Sequence, residues 1–186
     1  MTNKAYIDNI NAAEWGEKMI LYPNLYLKDV TAITTDILKK YKIKGLILDV
    51  DNTLIDVDRK MNPKVVDWVD ELKKNGIKFC IVSNTNKYEK VKSVAEKLDI
   101  PYFYFAKKPF KRGFHKAQNL MKLKEENIAA VGDQLMTDVL GANRCKMFSI
   151  LVEPISEKDI FITKIKRPFE NLIIKRYVSK HVRGKV

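Results

Sequence analysis

The chain has 186 residues, 46% of them hydrophobic, which is enough for one core with appendages and excludes a low-complexity or extended protein. Its 35 Lys/Arg against 23 Asp/Glu leave a net charge of +12, which argues for an anionic partner: a phosphorylated substrate, nucleic acid, a ribosome or an anionic lipid surface. Two cysteines, Cys80 and Cys145, are too few for a disulfide framework and wrongly spaced for zinc, and no apolar run approaches the about 18 residues that span a membrane.

Lys4 is followed by no continuous apolar region of the signal-peptide kind, so a reducing, cytoplasmic setting is expected. Residues 1–42 read as a helical lead-in. Met19 to Tyr22 form an apolar cluster ended by Pro23. Tyr26, Leu27, Val30 and Ile33 then recur at helical spacing, and Thr34 or Thr35 can cap a second short helix through Ile37, Leu38 and Tyr41.

A catalytic domain is expected over 43–157. Leu46–Val50 is a short apolar run without alternation, as in a strand buried on both faces. Pro63 opens a helix at its permitted first turn, with a stripe of Val65, Val66, Trp68, Val69 and Leu72 ending at Asn75-Gly76. Further strands are expected at Ile77–Val82, Tyr102–Phe105, Ile128–Val131 and Met147–Val152. Helices between them carry Val91, Val94, Ala95 and Leu98, then Phe114, Ala117, Leu120 and Met121, then Val139 to Asn143. This α/β alternation with short connections predicts a Rossmann-like parallel five-stranded sheet with helices on both faces.

Ligands of open parallel sheets bind beyond the carboxyl ends of the strands. Those ends supply Asp49 and Asp51 with Thr53 just beyond, Ser83-Asn84, Lys108, and Asp133 with Asp138 five residues on. Four aspartates in one crevice repel one another unless a cation sits among them. Oxygen ligands with no His or Cys cluster favour Mg2+. A lysine and a hydroxyl beside such a cation suit a phosphate, so the reaction class is phosphoryl transfer.

Asp49-Val50-Asp51-Asn52-Thr53, Ser83-Asn84, Lys108-Pro109 and Gly132-Asp133-Gln134-Leu135-Met136-Thr137-Asp138 resemble, in order, the four motifs of haloacid dehalogenase-like (HAD) phosphatases. The wording around them resembles subfamily IIIA, YqeG type, over roughly Leu25 to Arg176. The resemblance implies that Asp49 is the nucleophile forming an aspartyl-phosphate, and that Asp51 protonates the leaving group and then activates water. It also implies that Asp49, Asp133, Asp138 and the Asp51 carbonyl hold Mg2+. Ser83, Asn84 and Lys108 would bind the phosphoryl group, with Lys107 as the adjacent competitor, and Thr53 would brace the first loop.

Only nine residues separate Thr53 from Pro63, which leaves no room for a large cap domain and implies an open site for a large substrate. The YqeG type is also similar to mitochondrial phosphatases of phosphatidylglycerophosphate, which makes a lipid headgroup the leading expectation. Residues 158–186 form a basic tail with nine Lys/Arg against two acids, mixing Phe161, Ile162, Leu172, Ile173 and Ile174 with its cations. Read as an amphipathic helix, it would attach the protein peripherally to an anionic membrane, on its inner face. The rival expectations are a phosphatase of nucleic acid or a soluble metabolite, and a ribosome- or RNA-associated module with a secondary phosphatase site.

Overall fold

A computed structural model describes residues 20–156 and 172–177. Six strands form one sheet: β1 (Leu25–Leu27), β2 (Gly45–Leu48), β3 (Lys78–Val82), β4 (Tyr102–Phe103), β5 (Ile128–Gly132) and β6 (Phe148–Val152). Their order is β1-β6-β5-β2-β3-β4, and every pairing is parallel. The chain steps outward from β2 to β3 and β4, then returns to the other side of β2 for β5, β6 and β1. The reversal falls between β2 and β5, where the carboxyl ends diverge and leave a crevice.

β2 is buried on both faces, as its unbroken apolar run requires. Leu46 and Leu48 point into one core layer, under α1 (Thr35–Lys40), α2 (Pro63–Lys74) and α3 (Tyr88–Leu98). Ile47 points into the other, with Cys80, Val82, Phe114 and Ala130, under α4 (Lys111–Met121) and α5 (Leu140–Arg144). Both cysteines are free and buried, and burial pushes the Cys80 thiol up to about 12 and Cys145 to about 11, so they act as small hydrophobes.

The sheet has six strands, not the expected five, because Leu25–Leu27, expected within a helical lead-in, is a strand. Leu25 and Leu27 are buried and alternate with Tyr26, and they add to the free edge of β6. Asn24 locks the join: its Oδ1 accepts from the Ser149 backbone N–H at 2.9 Å and from the Ser149 hydroxyl at 2.8 Å. A single 3-10 turn at Val30–Ala32, capped by Asp29, follows. Thr34, rather than Thr35, caps α1. Pro63 opens α2 as expected, and Gly76 follows its C-cap at φ +79°.

β4 stops two residues short of the expected strand, because the backbone turns left-handed at Phe105 (φ +48°). No further domain is inserted between β2 and α2 or between β4 and β5. In the tail, residues 172–177 form a short helix whose Ile173 and Tyr177 are buried with Tyr22, Leu135, Val139 and Leu151. The expectations for 1–19, 157–171 and 178–186, Phe161 and Ile162 included, lie outside the described residues.

Candidate active site

Asp49 follows the last residue of β2, and its backbone N–H bonds to the Val131 carbonyl of β5 at 3.0 Å, which seats it at the reversal point. Beyond it the chain folds into a tight loop: Leu54 N–H and Ile55 N–H both donate to the Val50 carbonyl, and Asn52 takes a left-handed conformation that suits its side chain. The loop is braced by these backbone bonds. The buried Thr53 hydroxyl has no hydrogen-bond partner in the structure, so the bracing expected of it comes from the main chain instead.

The buried Lys108 ammonium donates to Asp49 Oδ1 and to Asp138 Oδ1, each at 2.6 Å. Lys107 stays exposed, over the Phe105 ring at 5.0 Å. Asp133 comes from the end of β5. Asp138 comes from a π-helical turn, Leu135–Val139, a rare form found mostly at functional sites. Asp138 Oδ2 also accepts from the Gln134 backbone N–H and the Thr137 hydroxyl, both at 3.2 Å. Gly132 makes this approach possible, since a Cβ there would lie 2.3 Å from Asp138 Cγ.

Asp49, Asp133 and Asp138 each place one carboxylate oxygen within 4.8 Å of the others, and all three residues are buried. Three ionised carboxylates facing one lysine leave two negative charges, which a divalent cation would balance. Burial pushes Asp49 up to about 7 despite the opposing pull of Lys108. The Lys108 ammonium is held firmly protonated by Asp138 and Asp49, which outweigh its desolvation. Oxygen donors without nitrogen or sulfur fit a hard cation.

The remaining residues fall around this group. Ser83 is buried, and its Oγ accepts from the Thr85 N–H at 3.2 Å. Asn84 Nδ2 donates to the Lys108 carbonyl at 3.0 Å, and its Oδ1 accepts from the Lys108 N–H at 2.5 Å. These two bonds fix the backbone of the lysine. The Asp51 carboxylate is not among the clustered oxygens. It is one-third exposed and pairs with the ammonium of Lys90, a residue of α3 absent from the sequence-based site. The available signal was positional: Lys90 is in the first turn of a helix that follows a strand end, where side chains reach the carboxyl edge of the sheet.

Residues 12–156 match the family described as mitochondrial PGP phosphatase. The chain belongs to this family. It is 42% identical over 158 residues to the probable phosphatase YqeG of Bacillus subtilis (strain 168), covering 84% of this chain and 91% of that one. It is 22% identical over 174 residues to phosphatidylglycerophosphate phosphatase 1, chloroplastic, of Chlamydomonas reinhardtii, covering 88% of this chain and 65% of the relative. Among solved structures, an uncharacterized protein from Listeria monocytogenes serotype 4b superposes with a TM-score of 0.52 at 19% identity, over 63% of this chain and 84% of that one. The likeness at that identity is one of fold. The site and the family together make this family member a HAD-like phosphatase.

Proposed function

We propose that the protein is a Mg2+-dependent phosphomonoesterase that removes the terminal phosphate of phosphatidylglycerophosphate to leave phosphatidylglycerol. The observation that carries the phosphatase chemistry is the buried Asp49 carboxylate, held by Lys108 within one cluster with Asp133 and Asp138. Asp49 Oδ attacks phosphorus as the bond to the leaving oxygen breaks, and Asp51 gives that oxygen its proton. Water then attacks the aspartyl-phosphate, Asp51 takes up the water's proton, and inorganic phosphate departs as Asp49 is regenerated. Lys108 and Ser83 hold the transferring phosphoryl group throughout. Mg2+, held by Asp49, Asp133, Asp138 and the Asp51 carbonyl, would supply charge neutralisation at the phosphoryl oxygens.

Two facts support the lipid as substrate: the open carboxyl edge without an inserted cap, and the plant and algal relatives named for this lipid. No helix among the described residues is long and apolar enough to cross a membrane. Access to a headgroup would therefore be peripheral. The test is phosphate release with Mg2+ from phosphatidylglycerophosphate vesicles, nucleotides and 3′- or 5′-phosphorylated oligonucleotides, with Asp49→Asn as the control. The lipid is expected to be turned over fastest. Good release from oligonucleotides with none from the vesicles would replace the lipid reading, and release that survives Asp49→Asn would remove the nucleophile.

A further inference from the structure

We propose that the rim formed around the Lys108 loop is a docking face for an anionic lipid bilayer. The rim carries four of the large apolar side chains that the described residues leave exposed: Tyr88, Tyr104, Phe105 and Phe110, which are 41%, 45%, 54% and 62% accessible. Tyr88 opens α3 after the end of β3, and its ring meets that of Tyr104 edge-on at 5.3 Å. The Phe105 N–H bonds to the Thr85 carbonyl, and the Phe110 N–H to the Lys107 carbonyl. All four therefore stand at the carboxyl edge of the sheet. Phe105 and Phe110 are within three residues of Lys108, whose ammonium is in the site.

Both phenylalanines stand where the backbone prefers another residue. Phe105 is left-handed at φ +48°, a conformation that suits Gly or Asn and is uncommon for a bulky side chain. Phe110 is at the N-cap of α4, where Ser, Thr, Asp or Asn would bond to the helix, and it makes no side-chain cap. Neither residue fills the core. Departures from local preference concentrate at functional positions.

The charge around these rings is mostly positive. From Ile100 to Lys116 the chain holds five Lys/Arg and no acid, and residues 87–98 add Lys87, Lys90, Lys92 and Lys97 against Glu89 and Glu96. Lysines lie over the rings as well, Lys107 at 5.0 Å from Phe105 and Lys92 at 5.9 Å from Tyr88. Exposed aromatics inside a field of cations are the composition of a membrane-interface surface. A single-stranded RNA would also meet rings and cations, but sequence readers of that kind stack bases on a flat sheet face. These phenylalanines stand in a loop and at a helix start. The face deepens the lipid-phosphatase reading and rests on it for its orientation: docked here, the crevice opens onto headgroups.

The test is co-sedimentation of the full chain with vesicles of phosphatidylglycerol and phosphatidylcholine, or phosphatidylcholine alone, for wild type and the double variant Phe105→Asn/Phe110→Ser. Asn suits the left-handed position and Ser the N-cap, so the variant keeps the fold, as equal or higher thermal stability will verify. Wild type is expected to bind the anionic vesicles. The variant should bind about tenfold more weakly or worse, with hydrolysis of soluble p-nitrophenyl phosphate unchanged. Equal binding by the variant overturns the proposal, as does equal binding to neutral vesicles, or binding to a single-stranded oligonucleotide with none to vesicles. Phosphatidylglycerophosphate in detergent micelles separates the two readings. Turnover there without vesicle binding overturns the docking face alone. Phenylalanine-dependent vesicle binding without turnover supports the face and overturns the substrate.

Discussion

Asp49 holds its proton more tightly in the fold than in the unfolded chain and is useful as an anion. Its folded value near 7 stands above the ordinary 3.8 because burial outweighs Lys108. The folded state thus holds its proton over a pH range where the unfolded chain has lost it. The cation-free fold loses stability from this group as pH rises from about 4 to about 7, and the full penalty stands above that window. Asp49→Asn removes the penalty. The variant should abolish phosphate release and, with metal chelated, raise the melting temperature by a few degrees at pH 8 and by less at pH 5, measured by calorimetry. Lys90 acts through another residue, since its ammonium pairs with Asp51. A leaving alkoxide needs a proton and p-nitrophenolate does not. Lys90→Met should therefore lower kcat on an alkyl phosphate about tenfold and on p-nitrophenyl phosphate less than about twofold, with Lys90→Arg restoring most of the loss. An equal fall on both esters would make Lys90 merely structural.

At the scale of elements, two glycines hold different things in place. Gly132 ends β5 with the Asp138 side chain lying on it. Gly132→Ala should push that carboxylate away and raise the Mg2+ concentration needed for half-maximal activity about 10–100-fold. Gly141 in α5 meets the Phe114 ring of α4, with a Cβ placed 2.3 Å from Cε2. Gly141→Ala should cost about 1–3 kcal/mol in denaturant unfolding and leave the Mg2+ dependence alone. The clustering of Asp49, Asp133 and Asp138 was legible because acids at the ends of apolar runs are out of place in packing and need a reason. The seat of Asp138 on a π-helical turn was not, since Leu135 to Val139 has the same apolar spacing as an α-helical start. Lys90 was hidden among Lys87, Lys92 and Lys97, which no local pattern distinguishes. β1 was misread because Leu27, Val30 and Ile33 suit a helix as well as they suit a strand and a turn. The free edge of β6 decided between them, and that is a tertiary fact. Tyr102–Phe105 read as one strand because all four residues are aromatic, whereas Tyr104 and Phe105 leave the sheet and face solvent.

For the whole molecule, the question is what the C-terminal segment does. Its charge suggested an anchor whose apolar side faces lipid. In the described part, Ile173 and Tyr177 instead face inward, and Tyr177 meets Tyr22 edge-on at 5.4 Å. Their neighbours Leu135 and Val139 begin and end the turn that carries Asp138. The segment thus bears on the back of the turn that carries Asp138, while the front of the same sheet edge is left to the aromatic rim. Opening a cavity behind that turn should be felt in two places. Ile173→Ala should lower stability by about 2–4 kcal/mol, a fall of about 5–10 °C in melting temperature for a chain of this size. It should also raise the Mg2+ requirement, because Asp138 loses the packing that holds its turn. Leu172→Ala, at a position 55% exposed on the same helix, is the control and should change neither. If Ile173 served only to enter a membrane, both variants would leave stability in solution untouched. A loss of stability confined to Ile173→Ala makes the segment part of the catalytic fold.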